Sequence, residues 1–351
     1  MGQLNFKNGY RSLFKSHGRS DIATVVRGIA ALCVCTIHTS SLLIPNKQGI
    51  FYTLARNVIF IFGTAAPYAF FIVSGYALMH SWTSRRRSFL VFALERLIRL
   101  APLYAVALAI GFKKLSLDLI SLFLFLNPVT KSTSWDPLTV AWTVPIEFWC
   151  SLTIPIFYIL VKKNTEKKMV AVYVVIPILI TSLAHIIFLH IFHFSNLASE
   201  RTVFKGILYF AFGVLIFVGE NIIINLDINS FNFLLAITLF FTLFTFVKYI
   251  ENVGDTSVFI VQFVFLIFML DWRKNRASSI NFNRLFLFFG NSCYGIYLSH
   301  PIIDGFIRRN LHLPNILLFF LDLTCAIISG MLSWIVIERP LIILGKKYLE
   351  R

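Results

Sequence analysis

Long apolar stretches, separated by short polar or basic segments, run along almost the whole chain. Ten of them are predicted to be membrane-spanning helices, because about 20 helical residues are needed to cross about 30 Å of hydrocarbon. One further apolar stretch, at residues 115–126, is too short to cross and is predicted to be re-entrant or interfacial. The pattern therefore predicts an all-α, polytopic transmembrane helical bundle. The ten predicted spans are residues 22–44, 57–79, 91–112, 142–161, 169–190, 204–219, 231–249, 255–271, 285–303 and 315–337.

The composition agrees with a membrane-embedded chain. Of its 351 residues, 58% are hydrophobic and only 14% are charged, whereas a soluble domain has about 25% charged residues. A soluble enzyme and a nucleic-acid-binding domain are excluded for the bulk of the chain. The formal net charge of +16 is therefore attributed to cytoplasmic loops that face anionic lipid headgroups.

The basic residues are distributed unevenly between the predicted loops. With a cytoplasmic N-terminus, four basic clusters fall on the cytoplasmic side, and this arrangement follows the positive-inside rule. Both termini are therefore predicted to be cytoplasmic. The predicted organisation is a cytoplasmic segment at 1–21, a transmembrane domain at 22–343 and a cytoplasmic tail at 344–351. The four clusters are residues 85–87, 162–168, 273–276 and 346–351.

Charged and titratable side chains inside apolar spans are candidates for function, because they are costly in a membrane. Arg27 and His38 lie in the first span, eleven residues apart, which is three helical turns plus about 20°. They therefore share one helix face, with a rise of about 16 Å between them. His38 is a candidate catalytic residue, and a structural histidine in the core is the alternative.

Glu147 lies in the fourth span, within AWTVPIEFWC. The predicted topology puts it near the outer end of that span, at a depth similar to that of His38. At this depth its carboxylate is predicted to hold the imidazole in one tautomer and to stabilise the protonated form. The alternative is a glutamate that extends to the lipid–water interface. Pro145 predicts a bend just before Glu147.

Two arginines follow the first basic cluster, at the start of the third span. Arg96 and Arg99 are three residues apart, so both guanidinium groups lie on one helix face. Two guanidinium forks suit a phosphate ligand. Cytoplasmic anchoring is the alternative, but it explains Arg99 less well because the sequence LIRLAPLY is already entering the membrane.

Small and aromatic residues add to the candidate set. Ser74 and Gly75 interrupt an aromatic-rich helix near the cytoplasmic end of the second span. Close helix packing is the commoner reason for such residues, and contact with a passing ligand is the alternative. Trp142 precedes Glu147 and also fits an interfacial aromatic belt.

The last two spans carry further polar groups. Tyr294, Tyr297 and His300 bring polar groups toward the outer face in the ninth span, whereas Asp322 in the tenth has no role evident from the sequence. Glu338 falls at the cytoplasmic boundary. No metal site or disulfide is predicted, because the five cysteines lie inside apolar runs without the spacing of ligands.

Together these residues resemble the acyltransferase 3 family of integral membrane acyltransferases. The resemblance runs from about residue 22 to 343, and the ordered combination is more specific than any single motif. The matching features are Arg27-Gly28 with His38 eleven residues on, FFIVSGY in the second span, Arg96-x-x-Arg99, Trp142 with Glu147, Y-x-x-Y-L-x-H at 294–300, and Glu338-Arg339-Pro340.

The resemblance implies transfer of an acyl group, usually acetyl, from cytoplasmic acyl-CoA to a hydroxyl of an extracytoplasmic sugar or polysaccharide. It implies a bacterial inner-membrane protein with no permanently bound cofactor. Its partners would be acetyl-CoA or another acyl-CoA, a saccharide or glycolipid acceptor and membrane lipid, with no nucleic acid. The implied roles are donor binding by Arg27, Ser74, Arg96 and Arg99, acceptor binding by Trp142, Tyr294, Tyr297 and His300, and catalysis by His38 and Glu147.

A proton-coupled transporter or exporter of a saccharide is the alternative function. Buried His, Arg and Glu side chains in a polytopic bundle also fit a transporter. The sequence shows neither an internal repeat nor a pair of broken helices, and both absences favour the acyltransferase.

The topology is testable by labelling single cysteines in a cysteine-free protein. We expect Ser84→Cys and Asn275→Cys to react only from the cytoplasm and Asn252→Cys only from outside, as the charge distribution requires. Labelling of the 162–168 loop from outside would contradict this topology and would make 115–126 a span.

Overall fold

The structure, a computed structural model, is all-α in the residues that it describes: 21–43, 50–85, 87–111, 117–126, 138, 140–163, 203–250, 256–275 and 284–349. A π-helical turn at Trp334–Glu338 joins the last two helices. The helices are α1 (Asp21–Leu43), α2 (Ile50–Ser84), α3 (Phe89–Gly111), α4 (Leu117–Phe123), α5 (Thr143–Ser151), α6 (Ile154–Lys163), α7 (Val203–Asn225), α8 (Ile228–Ile250), α9 (Thr256–Asn275), α10 (Arg284–Asn291), α11 (Cys293–Asn310), α12 (Asn315–Ser333) and α13 (Arg339–Leu349).

These helices agree with the predicted all-α class. Nine predicted spans overlap a described helix or helix pair, and the remaining one, 169–190, lies outside the described residues. By length and composition, four described helical segments could cross a membrane, or five if the bent pair α5–α6 is one span. The total of about ten spans and the side of each terminus stay predictions.

The 115–126 stretch contains a single short helix in its described part. Helix α4 has seven residues, which corresponds to about 10 Å. Such a helix is too short to cross the hydrocarbon. This agrees with the prediction that the stretch is re-entrant or interfacial.

Helix α1, which carries Arg27 and His38, is surrounded by other helices of the described bundle. It packs against α2, α10, α11 and α12. Its buried Ala23, Ala30 and Ala31 allow neighbouring backbones to approach, as small residues commonly do in membrane bundles. Both Arg27 and His38 therefore project from a helix with neighbours on several sides.

The outside of the bundle is strongly apolar. In α8, the segment Ile228–Val247 is only 11% buried, and Phe233 and Phe240 are largely exposed. A soluble protein rarely exposes apolar surface of this extent. The surface is suited to contact with lipid chains.

A close crossing of α2 and α7 fixes the surroundings of Ser74. A Cβ atom added to Gly213 would lie 1.9 Å from the Ile72 carbonyl oxygen, and one added to Gly75 would lie 2.2 Å from the Phe210 carbonyl oxygen. Any side chain at these positions would force the backbones apart. Helix α2 continues without a break through Ser74 and Gly75, and the small residue at Gly75 serves the close helix packing that was the commoner expectation.

This crossing predicts a measurable cost for a single methyl group. We expect Gly213→Ala to destabilise the protein by about 1–3 kcal/mol, the usual cost of overpacking. Gly305→Ala is the matched control, because no atom lies within 4 Å of a Cβ atom added there; it should be neutral or slightly stabilising. Thermal unfolding in detergent measures both, and equal melting temperatures would contradict the crossing.

Candidate active site

A hydrogen-bonded network joins α1, α2, α3 and α5 in the half of the bundle that faces the predicted cytoplasmic side. Glu147 Oε1 accepts hydrogen bonds from Arg96 Nη2 at 3.0 Å and from Ser74 Oγ at 3.1 Å. Ser74 Oγ accepts in turn from Arg27 Nη2 at 3.0 Å. One carboxylate thus links two guanidinium groups, one directly and one through a hydroxyl. We call these four residues the inner polar layer.

The inner polar layer is largely shielded from solvent. The side chains of Arg96 and Glu147 are 12% and 18% exposed. Buried charges are costly unless they are paired and hydrogen-bonded. The network therefore fixes four helices relative to one another, because separating any of them would leave a charge without its partner.

Arg99, three residues after Arg96 on α3, contacts the π-helical turn. Its Nη1 is 3.6 Å from Glu338 Oε2, and its Cζ is 5.2 Å from the centre of the Trp334 ring. Arg96 and Arg99 both line a cavity of about 250 Å³ at the inner end of the bundle. Other basic side chains on its wall are Arg85, Arg87 and Lys346.

A pair of histidine rings lies toward the opposite end of α1. The ring centres of His38 and His300 are 5.3 Å apart. His300 is fully buried, and neither of its ring nitrogens makes a hydrogen bond of normal geometry to a described residue. His38 is exposed. We call this pair the outer polar layer.

Two tyrosines lie between the polar layers. The Tyr297 hydroxyl donates to the Val140 carbonyl oxygen at 3.0 Å and is 3.1 Å from Thr143 Oγ1, which donates to it. The Tyr294 hydroxyl donates to the Leu100 carbonyl oxygen at 2.7 Å. Both tyrosines therefore bind backbone atoms of neighbouring segments, and Tyr297 also ties α11 to the start of α5.

The depth predicted for Glu147 is wrong. The described residues just before α5 are buried, so α5 begins inside the protein, at the level of Tyr297, and not at the outer surface. Glu147 is a further turn along α5 and is connected through Ser74 to Arg27. It therefore lies near the depth of Arg27, and the ring that contacts His38 is that of His300.

Two smaller expectations about this segment also differ. Pro145 lies in the first turn of α5, where proline is tolerated, and the 40° bend comes after Ser151, before α6 begins at Ile154. Trp142 is 9% exposed and packs edge-on against Phe71, with ring centres 6.4 Å apart. It is part of the core and not of an interfacial belt.

The structure draws attention to polar groups to which the sequence analysis gave no role. Tyr76 donates to Glu220 Oε2 at 3.1 Å, and His80 Nε2 lies 3.2 Å from the same oxygen. Glu220 falls just past the predicted sixth span, so no rule about charges inside spans draws attention to it. Asp322 is 1% exposed, and its Oδ1 has no hydrogen-bond partner among the described residues.

The geometry combines the inner polar layer and its neighbouring cavity, whose wall carries several basic side chains, with an imidazole pair toward the opposite end of α1. Among the described residues, no three His, Cys, Asp or Glu side chains are placed to hold a metal ion. A membrane-embedded protein built this way can bind an anionic molecule on one side and move protons near the other. These features define a class of integral membrane proteins with a polar, reactive interior.

The family comparison identifies the chemistry of this class. Residues 23–339 match the family model described as an acyltransferase domain, that of the acyltransferase 3 family. The chain belongs to this family and is a membrane acyltransferase. Comparisons with curated proteins and with solved structures found no match.

The inner polar layer predicts strong coupling between its charged members. We expect Glu147→Gln and Arg96→Gln each to destabilise the protein by about 3–5 kcal/mol, because each leaves a buried charge unpaired. The double variant should lose less than the total of the two, by about 0.5–3 kcal/mol. Denaturation in detergent measures this coupling.

Asp304→Asn is the control for a solvent-accessible ion pair. Asp304 pairs with Arg308, and their side chains are 22% and 34% exposed. Its loss should cost about 0–1 kcal/mol. Additive effects of the Glu147 and Arg96 substitutions would contradict the network.

Proposed function

We propose that this acyltransferase transfers the acetyl group of cytoplasmic acetyl-CoA to a hydroxyl of an extracytoplasmic sugar or polysaccharide, in the inner membrane of a bacterium. The observation that carries the proposal is the arrangement of both polar layers along α1. Arg27 and His38 are eleven residues apart, a rise of about 16 Å. CoA carries its phosphates at one end and its thioester at the end of a long, thin arm, so it suits this separation.

The donor phosphates are assigned to the inner cavity. Of its basic side chains, Arg87 already pairs with Glu95, and Arg96 is hydrogen-bonded to Glu147. Arg99 is 3.6 Å from its carboxylate partner, which is beyond normal hydrogen-bond length. Of these three arginines, Arg99 is therefore the best placed to donate its N–H groups to phosphate oxygens.

The transfer step is assigned to the outer polar layer. The acceptor oxygen attacks the thioester carbonyl carbon while His38 takes the hydroxyl proton. The carbon–sulfur bond then breaks, and the CoA sulfur leaves with the proton from the His38 imidazolium. A transient acyl group on His38 gives the same products in two steps.

The remaining candidates have supporting roles in this proposal. Trp142, Tyr294, Tyr297 and His300 line the acceptor side. Glu147 holds Arg96 directly and Arg27 through Ser74, so it acts on donor binding and not by orienting His38. This assignment follows from the hydrogen bonds of the inner polar layer.

Phosphate recognition predicts a loss of donor affinity. Arg99→Ala should weaken CoA binding about ten- to a hundredfold, which corresponds to the loss of about 1.5–3 kcal/mol from hydrogen bonds to a charged group. Arg99→Lys should restore it only in part, because lysine lacks the planar fork. Calorimetry with CoA measures the affinity, and unchanged binding in Arg99→Ala would assign Arg99 to membrane anchoring.

The general-base role predicts a loss of turnover without loss of donor binding. His38→Gln should reduce transfer from acetyl-CoA by about 10²–10⁴ while CoA still binds. The assay uses purified protein in detergent with no ion gradient, so activity there also separates an acyltransferase from a gradient-driven transporter. The exposed His312 provides the control, because His312→Gln should retain turnover. Near-normal activity of His38→Gln would overturn the assignment and make His300 the next candidate.

A further inference from the structure

The last described helical segment carries an irregularity where it passes Arg99. The Arg339 N–H donates to the Trp334 carbonyl oxygen, five residues earlier, and so closes the wider turn of a π-helix. Such single turns are less favourable than α-helix and recur at functional sites. The first and last residues of this turn, Trp334 and Glu338, are the two that contact Arg99.

Glu338 is in an unfavourable environment for a carboxylate. Its side chain is 1% exposed, and neither carboxylate oxygen makes a hydrogen bond to a described residue. Its 3.6 Å ion pair with Arg99 offsets burial less well than a hydrogen-bonded pair would. Stability alone therefore gives a poor account of a carboxylate at this position.

Three arginines of the inner cavity differ in how they are held. Arg87 and Arg96 are hydrogen-bonded to Glu95 and Glu147. Arg99 is instead held by one ring face and one carboxylate beyond hydrogen-bond distance. This arrangement restricts where the guanidinium lies without using up its N–H donors.

We infer that Glu338 and Trp334 are positioning residues for phosphate recognition: they hold the Arg99 guanidinium in the orientation in which it meets a donor phosphate. The inference rests on the proposed function, in which Arg99 binds CoA. Ordering a long side chain on binding costs affinity, and a guanidinium that is ordered beforehand avoids that cost. The effect is expected on affinity for phosphate-bearing donors and not on the transfer step.

The test compares CoA with pantetheine, which lacks the phosphates. Glu338→Gln should weaken CoA binding about three- to tenfold, the range expected for immobilising one long side chain. Pantetheine binding and kcat at saturating acetyl-CoA should stay unchanged, whereas a general loss of structure would lower both. Glu220→Gln removes another buried carboxylate of the inner half and should not alter the preference for CoA over pantetheine.

A double-mutant cycle separates this inference from the proposed function. In an Arg99→Ala background, Glu338→Gln should have no further effect on CoA affinity. If Arg99→Ala itself leaves CoA binding unchanged, the proposed donor site fails. If Arg99→Ala weakens binding but Glu338→Gln tightens it, has no effect or adds independently, the positioning role fails. Trp334→Leu is the second variant, for the case that Glu338→Gln does not fold. It removes the ring contact without leaving a buried charge unpaired, and it should show the same selective loss of CoA affinity. Absence of that loss would overturn the inference.

Discussion

The described inner half of the bundle depends on the hydrogen bonds that the buried Glu147 carboxylate accepts. A membrane interior offers no water to solvate a guanidinium, so Arg27 and Arg96 must meet an acceptor inside the protein. Glu147 supplies it, with Ser74 as a bridge. The requirement explains why α5 begins within the protein: a continuous helix starting at the outer surface would put the carboxylate nearer the histidines.

Helix positions were predictable from the sequence because a long apolar stretch in a membrane satisfies its backbone hydrogen bonds by forming a helix. The shared face of Arg27 and His38 followed from helical geometry in the same way. The depth of Glu147 did not, since hydropathy gives the length of an apolar stretch but not where its helix begins. The described residues just before α5, 138 and 140–142, are apolar and buried, and their contacts with Tyr297 show that they lie inside the protein.

Pairing of charges was the other part that sequence reasoning could not supply. Glu147 and His38 were plausible partners by charge, but Ser74 and Arg96 compete for the same carboxylate, and the competition is decided by three-dimensional packing. The Gly75–Gly213 crossing brings α7 against α2 beside Ser74. For Trp334 and Glu338, a spacing of four on one helix was a usable signal, although nothing in the sequence identifies Arg99 as their common neighbour.

Two buried carboxylates lie beside a cluster of three arginines. How much of the arginine charge they offset determines how strongly the cluster attracts an anion. Three guanidinium groups, of Arg27, Arg96 and Arg99, face Glu147 and Glu338. With both carboxylates ionised, these three arginines keep one net positive charge. Arg85 and Lys346 on the wall of the inner cavity add further positive charge that can attract a phosphate. Unpaired arginines at this depth would be costly to bury before a ligand arrives, whereas full neutralisation of the three would weaken the attraction for an anion. The two glutamates are bonded differently: Glu147 accepts hydrogen bonds from Arg96 and Ser74, whereas Glu338 lies beyond hydrogen-bond distance of Arg99 and so leaves its N–H donors available to the proposed donor phosphate.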